Sequence, residues 1–267
     1  MALAKELFDA YTSGSHIDVA PTAREGGCDL ATAYAVEAEL TQMRRAEGHT
    51  TVGRKVGAAN KAVWRALKIE TVLWANMYDD TVHYAENGRA STSLARMRAP
   101  KLEPEVVMKL KSVPTSPDAA AVLECVEWLA LGYELVDNPF PDWKITAADL
   151  VASFGFHAAL VIGTPVPVDS GNIPALVDQL AAFTVRLSKN GALVAEGGGK
   201  NVLESPAVCM GELASALVAQ AGGEPLRPGE VITTGTLTPP PAIAAGERWE
   251  VVASGLDLPA LTVEFRP

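Results

Sequence analysis

The chain has 267 residues, 48% hydrophobic and 20% charged, enough to bury a substantial core. Its formal net charge of −10 excludes a nucleic-acid or anionic-membrane partner, because both need a basic surface. An anionic small substrate is still admitted, since one local cation reverses the field inside a cleft. The three scattered cysteines, Cys28, Cys125 and Cys209, exclude a disulfide framework and read as reduced thiols of a cytoplasmic protein.

Residues 1 to about 50 are expected to be helical. "MALAKELFDAYTSG" begins as an amphipathic helix without a signal-peptide pattern. In "DLATAYAVEAELTQMRRAEG", Ala33, Val36, Leu40 and Met43 recur at helical spacing, and Gly48 is a terminator. "TVGRKVGAANKAVWRALKI" reads as a short strand, a Gly turn and a short helix. "TVHY", "EVVMKLK", "YELVD", "AALVIG", "FTVRLSKNGALVAEG", "GEVITTG" and "RWEVVASG" then read as strands. Asn190–Gly191, between alternating runs, marks a hairpin. Helices are expected over Ala147 to Ser153 and Ala207 to Gly222. "LTPPPAIAAG" reads as a rigid loop. No stretch approaches the roughly 20 apolar residues of a membrane span. The pattern is α+β, a mixed β-sheet roll or sandwich with a helical N-terminal layer. Residues 1–75 form the N-terminal helical region and 76–267 a β-rich catalytic domain.

The stretch "APKLEPEVVMKLK" holds Glu103 and Glu105 two apart beside Val106, Val107 and Met108. In a strand they share one face, and two like charges that close repel unless something positive lies between them. Glu134 falls inside the apolar run "ALGYELV", where a carboxylate is costly unless paired or metal-bound. Three carboxylates without a His–Cys cluster make an all-oxygen site that suits Mg²⁺ or Mn²⁺. The same spacing also fits a solvated face, with Lys101, Lys109 and Lys111 as partners.

The segments G-R-K-V-G (53–57), D-D (79–80), P-K-L-E-P-E (100–105), Y-E-L-V-D (133–137), D-W-K (142–144) and T-G-T-L-T (234–238) occur in that order. In this the chain resembles the fumarylacetoacetate hydrolase superfamily, in particular the branch of 2-keto-4-pentenoate hydratases and 4-oxalocrotonate decarboxylases. That branch shows G-x-K-[IV]-G, an F-A-D-M-like segment, an E-x-E strand, A-L-E-[IV]-V-D, D-W-K and S-G-S-L-T. The resemblance implies a fumarylacetoacetase C-terminal-like fold, a homo-oligomer, and a divalent cation, Mg²⁺ or Mn²⁺, held by Glu103, Glu105 and Glu134. It also implies that Lys55 reaches into the site; a neighbouring dication would lower its pKa and suit it to proton transfer.

Asp80 aligns with an acidic residue of the branch and is a candidate to assist Lys55, with a turn aspartate as the other reading. Lys144 pairs either with a protein carboxylate or with a substrate carboxylate. Gly235 and Thr236 either offer a backbone N–H and a hydroxyl to an oxyanion or carboxylate, or form a turn. In "VASFGFHAALVIG" the small polar residues of the branch are replaced by Phe154, Phe156 and His157. Strand alternation puts the phenylalanines on one face and His157 on the other unless the chain bends there, which Gly155 permits. One set then contacts the substrate's far end; His157 is either a core or pocket-lining residue or, as a neutral imidazole, placed to hold or activate the attacking water. "GGGKN" lacks the G-x-x-x-x-G-K-[ST] spacing of a phosphate loop, and no G-x-S-x-G is present.

The implied activity is a metal-dependent hydratase of 2-hydroxypenta-2,4-dienoate-type acids. The alternatives are decarboxylation of a 2-oxohex-3-enedioate, C–C bond hydrolysis of a diketo acid, and a non-catalytic ligand-binding member of the fold. Decarboxylation would want a distal cationic group, and cleavage a held water with a His–Glu pair. The expected partner is a small 2-keto or 2-hydroxy-dienoate acid.

Overall fold

A computed structural model of the chain describes residues 2–220 and 223–267. Helices α1 (Ala2–Ser13) and α2 (Leu30–Ala46) form the N-terminal layer. Asp29 caps α2 by accepting the Thr32 N–H at 2.8 Å, the service a short polar side chain renders to the orphan donors of a helix start. Leu7 and Phe8 on α1, with Ala33, Val36 and Leu40 on α2, are buried, as the periodicity requires.

Strand β1 (Thr51–Gly57), helix α3 (Lys61–Leu67) and strand β2 (Leu73–Tyr78) follow, then the short strands β3 (Val82–Tyr84) and β4 (Arg89–Ser93). The long strands β5 (Lys101–Leu110) and β6 (Val126–Val136) are connected through helix α4 (Ala119–Glu124). Helix α5 (Ala147–Ala152) leads to β7 (His157–Ile162), β8 (Val166–Pro167) and α6 (Ile173–Ala182). The hairpin β9 (Thr184–Lys189) and β10 (Ala192–Gly198) precedes α7 (Pro206–Ala219), and β11 (Val231–Thr233), β12 (Arg248–Ser254) and β13 (Leu261–Arg266) come last.

The strands form two curled mixed sheets. One has eight strands in the order β2-β1-β11-β5-β6-β7-β3, with β8 beside β6; the other has five, β10-β9-β12-β13-β4. The eight-stranded sheet runs without interruption across residues 75 and 76, because β2 straddles that division and pairs with β1. Asn190 and Gly191 both take positive φ, 50° and 84°, as a two-residue hairpin turn needs.

Of the four strands outside the expected set, β2, β4, β8 and β13, the first two escape the alternation signal for different reasons. β2 is buried at every position, so it shows no polar face. β4, "RASTS", carries almost no apolar residue at all. The helix expected to reach Gly222 is helical through Ala219; residues 221 and 222 lie outside the described residues. One stretch, Gly199–Ala219, does pass the length and hydropathy test for a membrane span, but 61% of its most apolar window is buried in the fold. It is accounted for as a core segment.

Side chains alternate across β5 and so reach two different interiors. Leu102, Val106, Met108 and Leu110 join the main core. Glu103, Glu105 and Val107 point to the opposite face, where Val107 meets Met77, Ala130, Leu160, Ile162 and Val231 in a second apolar cluster. The glutamates therefore share that face with Val107, and with Lys101 and Lys109 at its two ends.

Candidate active site

The β5–β6 register sets Glu103 opposite Glu134, and Glu105 opposite Gly132. The shared face expected of an E-x-E strand thus receives a third carboxylate from the neighbouring strand. Oxygens of Glu103, Glu105 and Glu134 lie within 4.8 Å of one another. Glu105 and Glu134 are fully buried, and Lys55, at the far end of β1, is 2% exposed. Its Nζ is 3.4 Å from Glu134 Oε1. Glu105 Oε2 accepts the Gly235 N–H at 2.6 Å, while buried Glu105 Oε1 has no hydrogen-bond partner.

Burial pushes the Glu103 carboxyl up from its ordinary 4.5 to about 7, with Lys55 opposing and Glu134 adding to the rise. Burial and the two neighbouring carboxylates push Glu105 well up. Glu134 goes the other way: burial favours its neutral form, but Lys55 and the His157 hydrogen bond outweigh that and hold it low. Lys55 is not lowered by the protein's own groups. Burial disfavours its ammonium, but Glu134, Glu103 and Glu105 outweigh the burial and raise it; only a dication among the glutamates would pull the other way. An all-oxygen donor set with an unpartnered buried carboxylate oxygen fits a hard divalent cation.

This has a sign that can be measured. A carboxyl whose folded pKa is raised stabilises the fold fully below its unfolded pKa, and that contribution is lost as pH rises through the folded value. For Glu103 the window runs from 4.5 to about 7. A cation needs the ionised ligands and must displace those protons. The Mg²⁺-induced rise in Tm is therefore expected to be larger at about pH 8 than at about pH 5.5. Equal increments at both would contradict it.

The segment before β7 is not a strand. Phe154, Gly155 and Phe156 have φ of 55°, 60° and 59°, a left-handed run that bulky residues rarely adopt. A Cβ on Gly155 would lie 2.8 Å from Lys55 Cδ and from Ala75 Cβ, so glycine lets the backbone cross the lysine stem. The division of Phe154 and Phe156 from His157 by strand alternation is thereby overturned. All three line one cavity of about 990 Å³, together with Tyr11, Arg44 and Asp80. That cavity lies behind His157 and is not lined by the three glutamates.

His157 is 2% exposed. Its Nδ1 lies 2.9 Å from Glu134 Oε1 and its Nε2 2.9 Å from Thr81 Oγ1. With a protein partner on each nitrogen, the imidazole has none left for water, which corrects the water-activating role. The other candidates fare unevenly. Asp80 is not brought to Lys55: its carboxylate pairs with Arg44 and lies 3.4 Å from His49 Nδ1. Lys144 is exposed and makes no ion pair among the described residues; its backbone N–H binds Asp142 Oδ1 at 2.9 Å. The Gly235 N–H is committed to Glu105, and the Thr236 hydroxyl donates to the Thr238 carbonyl at 2.8 Å. Neither donor is open to an oxyanion. Thr81 and Thr233 join the site unforeseen, Thr233 Oγ1 lying 3.4 Å from Glu134 Oε2. Both contacts span long sequence separations, so only their hydroxyls were visible beforehand.

Curled mixed sheets around a buried cluster of acidic residues define a class. The chain belongs to the fumarylacetoacetate hydrolase family, whose C-terminal model matches residues 43–264. Among relatives, it is 32% identical over 226 residues to a 2-hydroxyhexa-2,4-dienoate hydratase of Comamonas testosteroni, covering 84% of this chain and 82% of that one. It is 31% identical over 263 residues to a 2-keto-4-pentenoate hydratase of Paraburkholderia xenovorans, covering 95% and 90%. In fold it is similar to the 4-oxalocrotonate decarboxylase of Pseudomonas putida G7 complexed with magnesium and adipate, with a TM-score of 0.87, 23% identity, and coverage of 99% and 96%.

Proposed function

We propose that the chain is a divalent-cation-dependent hydratase of 2-hydroxypenta-2,4-dienoate-type (2-keto-4-pentenoate) acids. One observation carries the reading. Three carboxylates converge within 4.8 Å, one with an unpartnered buried oxygen, and an ammonium stands 3.4 Å from one of them. The two hydratase relatives, which align over 84% and 95% of the chain, support it.

Glu103, Glu105 and Glu134 would hold Mg²⁺ or Mn²⁺, which when bound supplies Lewis-acid stabilisation of charge growing on the substrate's C2 oxygen. Lys55 carries a proton at Nζ and moves it during tautomerisation of the dienol to the conjugated ketone. Water then adds across the remaining double bond. The Gly235 N–H anchors Glu105, and His157 anchors Glu134, so the carboxylates meet the reaction already oriented. Burial of this wall keeps bulk water from competing for the proton.

The His–Glu pair that C–C cleavage would want exists as His157–Glu134, but its second nitrogen faces Thr81 and not an open water site. That leaves the cleavage reading without its held water, and the hydratase relatives support hydration. The test is a panel of 2-hydroxy-dienoates and diketo acids with Mg²⁺ or Mn²⁺, read by mass spectrometry. Gain of one water is the expected product. Loss of CO₂ or fragmentation as the main outcome would replace the reading, and cation-dependent stabilisation without turnover would favour a binding protein.

A cytoplasmic homo-oligomer completes the proposal. Three free cysteines and the apolar side chains exposed on β10 and β12, Leu193, Val194 and Val252, support it. A single-chain mass by light scattering would remove the oligomer.

A further inference from the structure

His157, which holds Glu134 through Nδ1, leads through its other nitrogen to an unassigned neighbour. Thr81 sits on the turn between β2 and β3 and is 5% exposed. Its Oγ1 receives the Tyr78 N–H at 3.2 Å and lies 2.9 Å from His157 Nε2. Its backbone carbonyl accepts the Leu160 N–H at 2.8 Å, which ties the turn to β7, the strand that begins at His157.

The hydrogen-bond roles follow from the partners. An ionised carboxylate only accepts, so His157 Nδ1 carries the hydrogen that goes to Glu134 Oε1. Nε2 faces away from Glu134 and needs a partner of its own. The Thr81 hydroxyl is the group in place. The hydroxyl also lies 3.0 Å from the Tyr78 carbonyl, which takes the Thr81 N–H at 3.0 Å as well. A chain of hydrogen bonds therefore runs from the Tyr78 N–H through Thr81 and His157 to Glu134. The last torsion of a glutamate is broad and two-fold, so without such an anchor the carboxylate would sample several orientations. The Lys55 and Thr233 contacts to Glu134 are longer at 3.4 Å each.

We propose that Thr81 is a positioning residue which acts through His157 to orient the Glu134 carboxylate towards the cation site. This rests on the reading of Glu134 as a cation ligand. Partners one step removed from a ligand typically change metal affinity by about 10- to 100-fold.

The experiment is Mn²⁺ binding to the full-length protein, followed by calorimetry and by the paramagnetic signal of free Mn²⁺, with no substrate present. Thr81→Val, which keeps the shape and removes the hydroxyl, is expected to weaken binding by about tenfold or more. Thr81→Ser is expected to restore affinity to within about threefold of the parent. In a His157→Leu background, Thr81→Val should add nothing, because residues acting through one route are not additive. A merely structural Thr81 would lower Tm in Thr81→Val while leaving Mn²⁺ affinity unchanged, and that outcome overturns the proposal. Glu134→Gln separates the two levels. If it binds Mn²⁺ like the parent, or the parent does not bind, the ligand reading itself fails and the proposal falls with it. Should Thr81→Val not fold, nitrogen NMR of the parent decides. The Nδ1–H tautomer of His157 is expected, and the Nε2–H tautomer overturns the proposal.

Discussion

Glu105→Gln is expected to abolish cation-dependent turnover, by more than about 10²-fold, while leaving the fold intact. The substitution preserves shape and one hydrogen bond, since the amide oxygen can still accept the Gly235 N–H that Glu105 Oε2 takes at 2.6 Å. What it changes is the unpartnered oxygen, Oε1. There an acceptor that could bind a cation becomes either a donor or a neutral carbonyl. The variant also removes a carboxyl that, once ionised, would be one of three like charges in a buried place. Burial together with the Glu134 and Glu103 charges pushes the Glu105 carboxyl well up, so a neutral amide costs the ion-free fold little and relieves repulsion. Thermal melts without added cation should therefore match or exceed the parent, while the rise in Tm on adding Mg²⁺ should vanish. Turnover within tenfold of the parent at saturating Mg²⁺, or full parental activity in excess chelator, would remove Glu105 from the site.

How much of this was legible in the sequence depended on whether the signal was local. Glu103 and Glu105 could be placed on one face because a strand has period two. Glu134 stood out as a carboxylate inside an apolar run. That Glu103 and Glu134 are direct neighbours is a matter of β5–β6 register, which only the folded sheet reveals. Gly235 looked like an oxyanion donor because glycine permits close approach, yet the group approaching it is Glu105, 130 residues away. Asp80 looked catalytic from its place in a motif, but the Arg44 guanidinium lies closer to it than Lys55 does. Nothing local announces that partner, which comes from α2. The error at Phe154 and Phe156 has a different origin. Aromatic residues before "HAALVIG" argue for strand by propensity, and here packing overrides propensity. Phe154 stacks on Tyr11 with centroids 4.2 Å apart, and Phe156 meets Trp143 at 5.8 Å. Those contacts, and the need to pass over Lys55 at Gly155, hold both phenylalanines at positive φ.

Lys55→Met and Lys55→Ala are expected to lower kcat by about 10²-fold or more while cation binding is kept, because a positioned proton-transfer group is worth that much. Two roles for Lys55 have to be told apart. It is placed to move a proton, and it is also the main countercharge of a buried acidic cluster. As a countercharge it is the largest influence holding Glu134 low against burial. Removing it should let the Glu134 carboxyl rise, so the ion-free variant should melt lower at neutral pH. A divalent cation brings two positive charges to the same carboxylates. Added Mg²⁺ should restore the melting temperature, and the affinity should be unchanged or tighter, since a competing ammonium 3.4 Å from Glu134 is gone. If charge balance were all that Lys55 provided, turnover would recover together with stability. A proton carrier cannot be replaced that way, so kcat should stay low at saturating cation and substrate. Methionine is the better replacement, because it fills the space beside Ala75 and Gly155 that the lysine stem occupies, where alanine leaves a void. Parallel loss in both variants points to the missing amine, and loss in alanine alone points to packing. A methionine variant that turns over at near-parental kcat would leave Lys55 as a countercharge and nothing more.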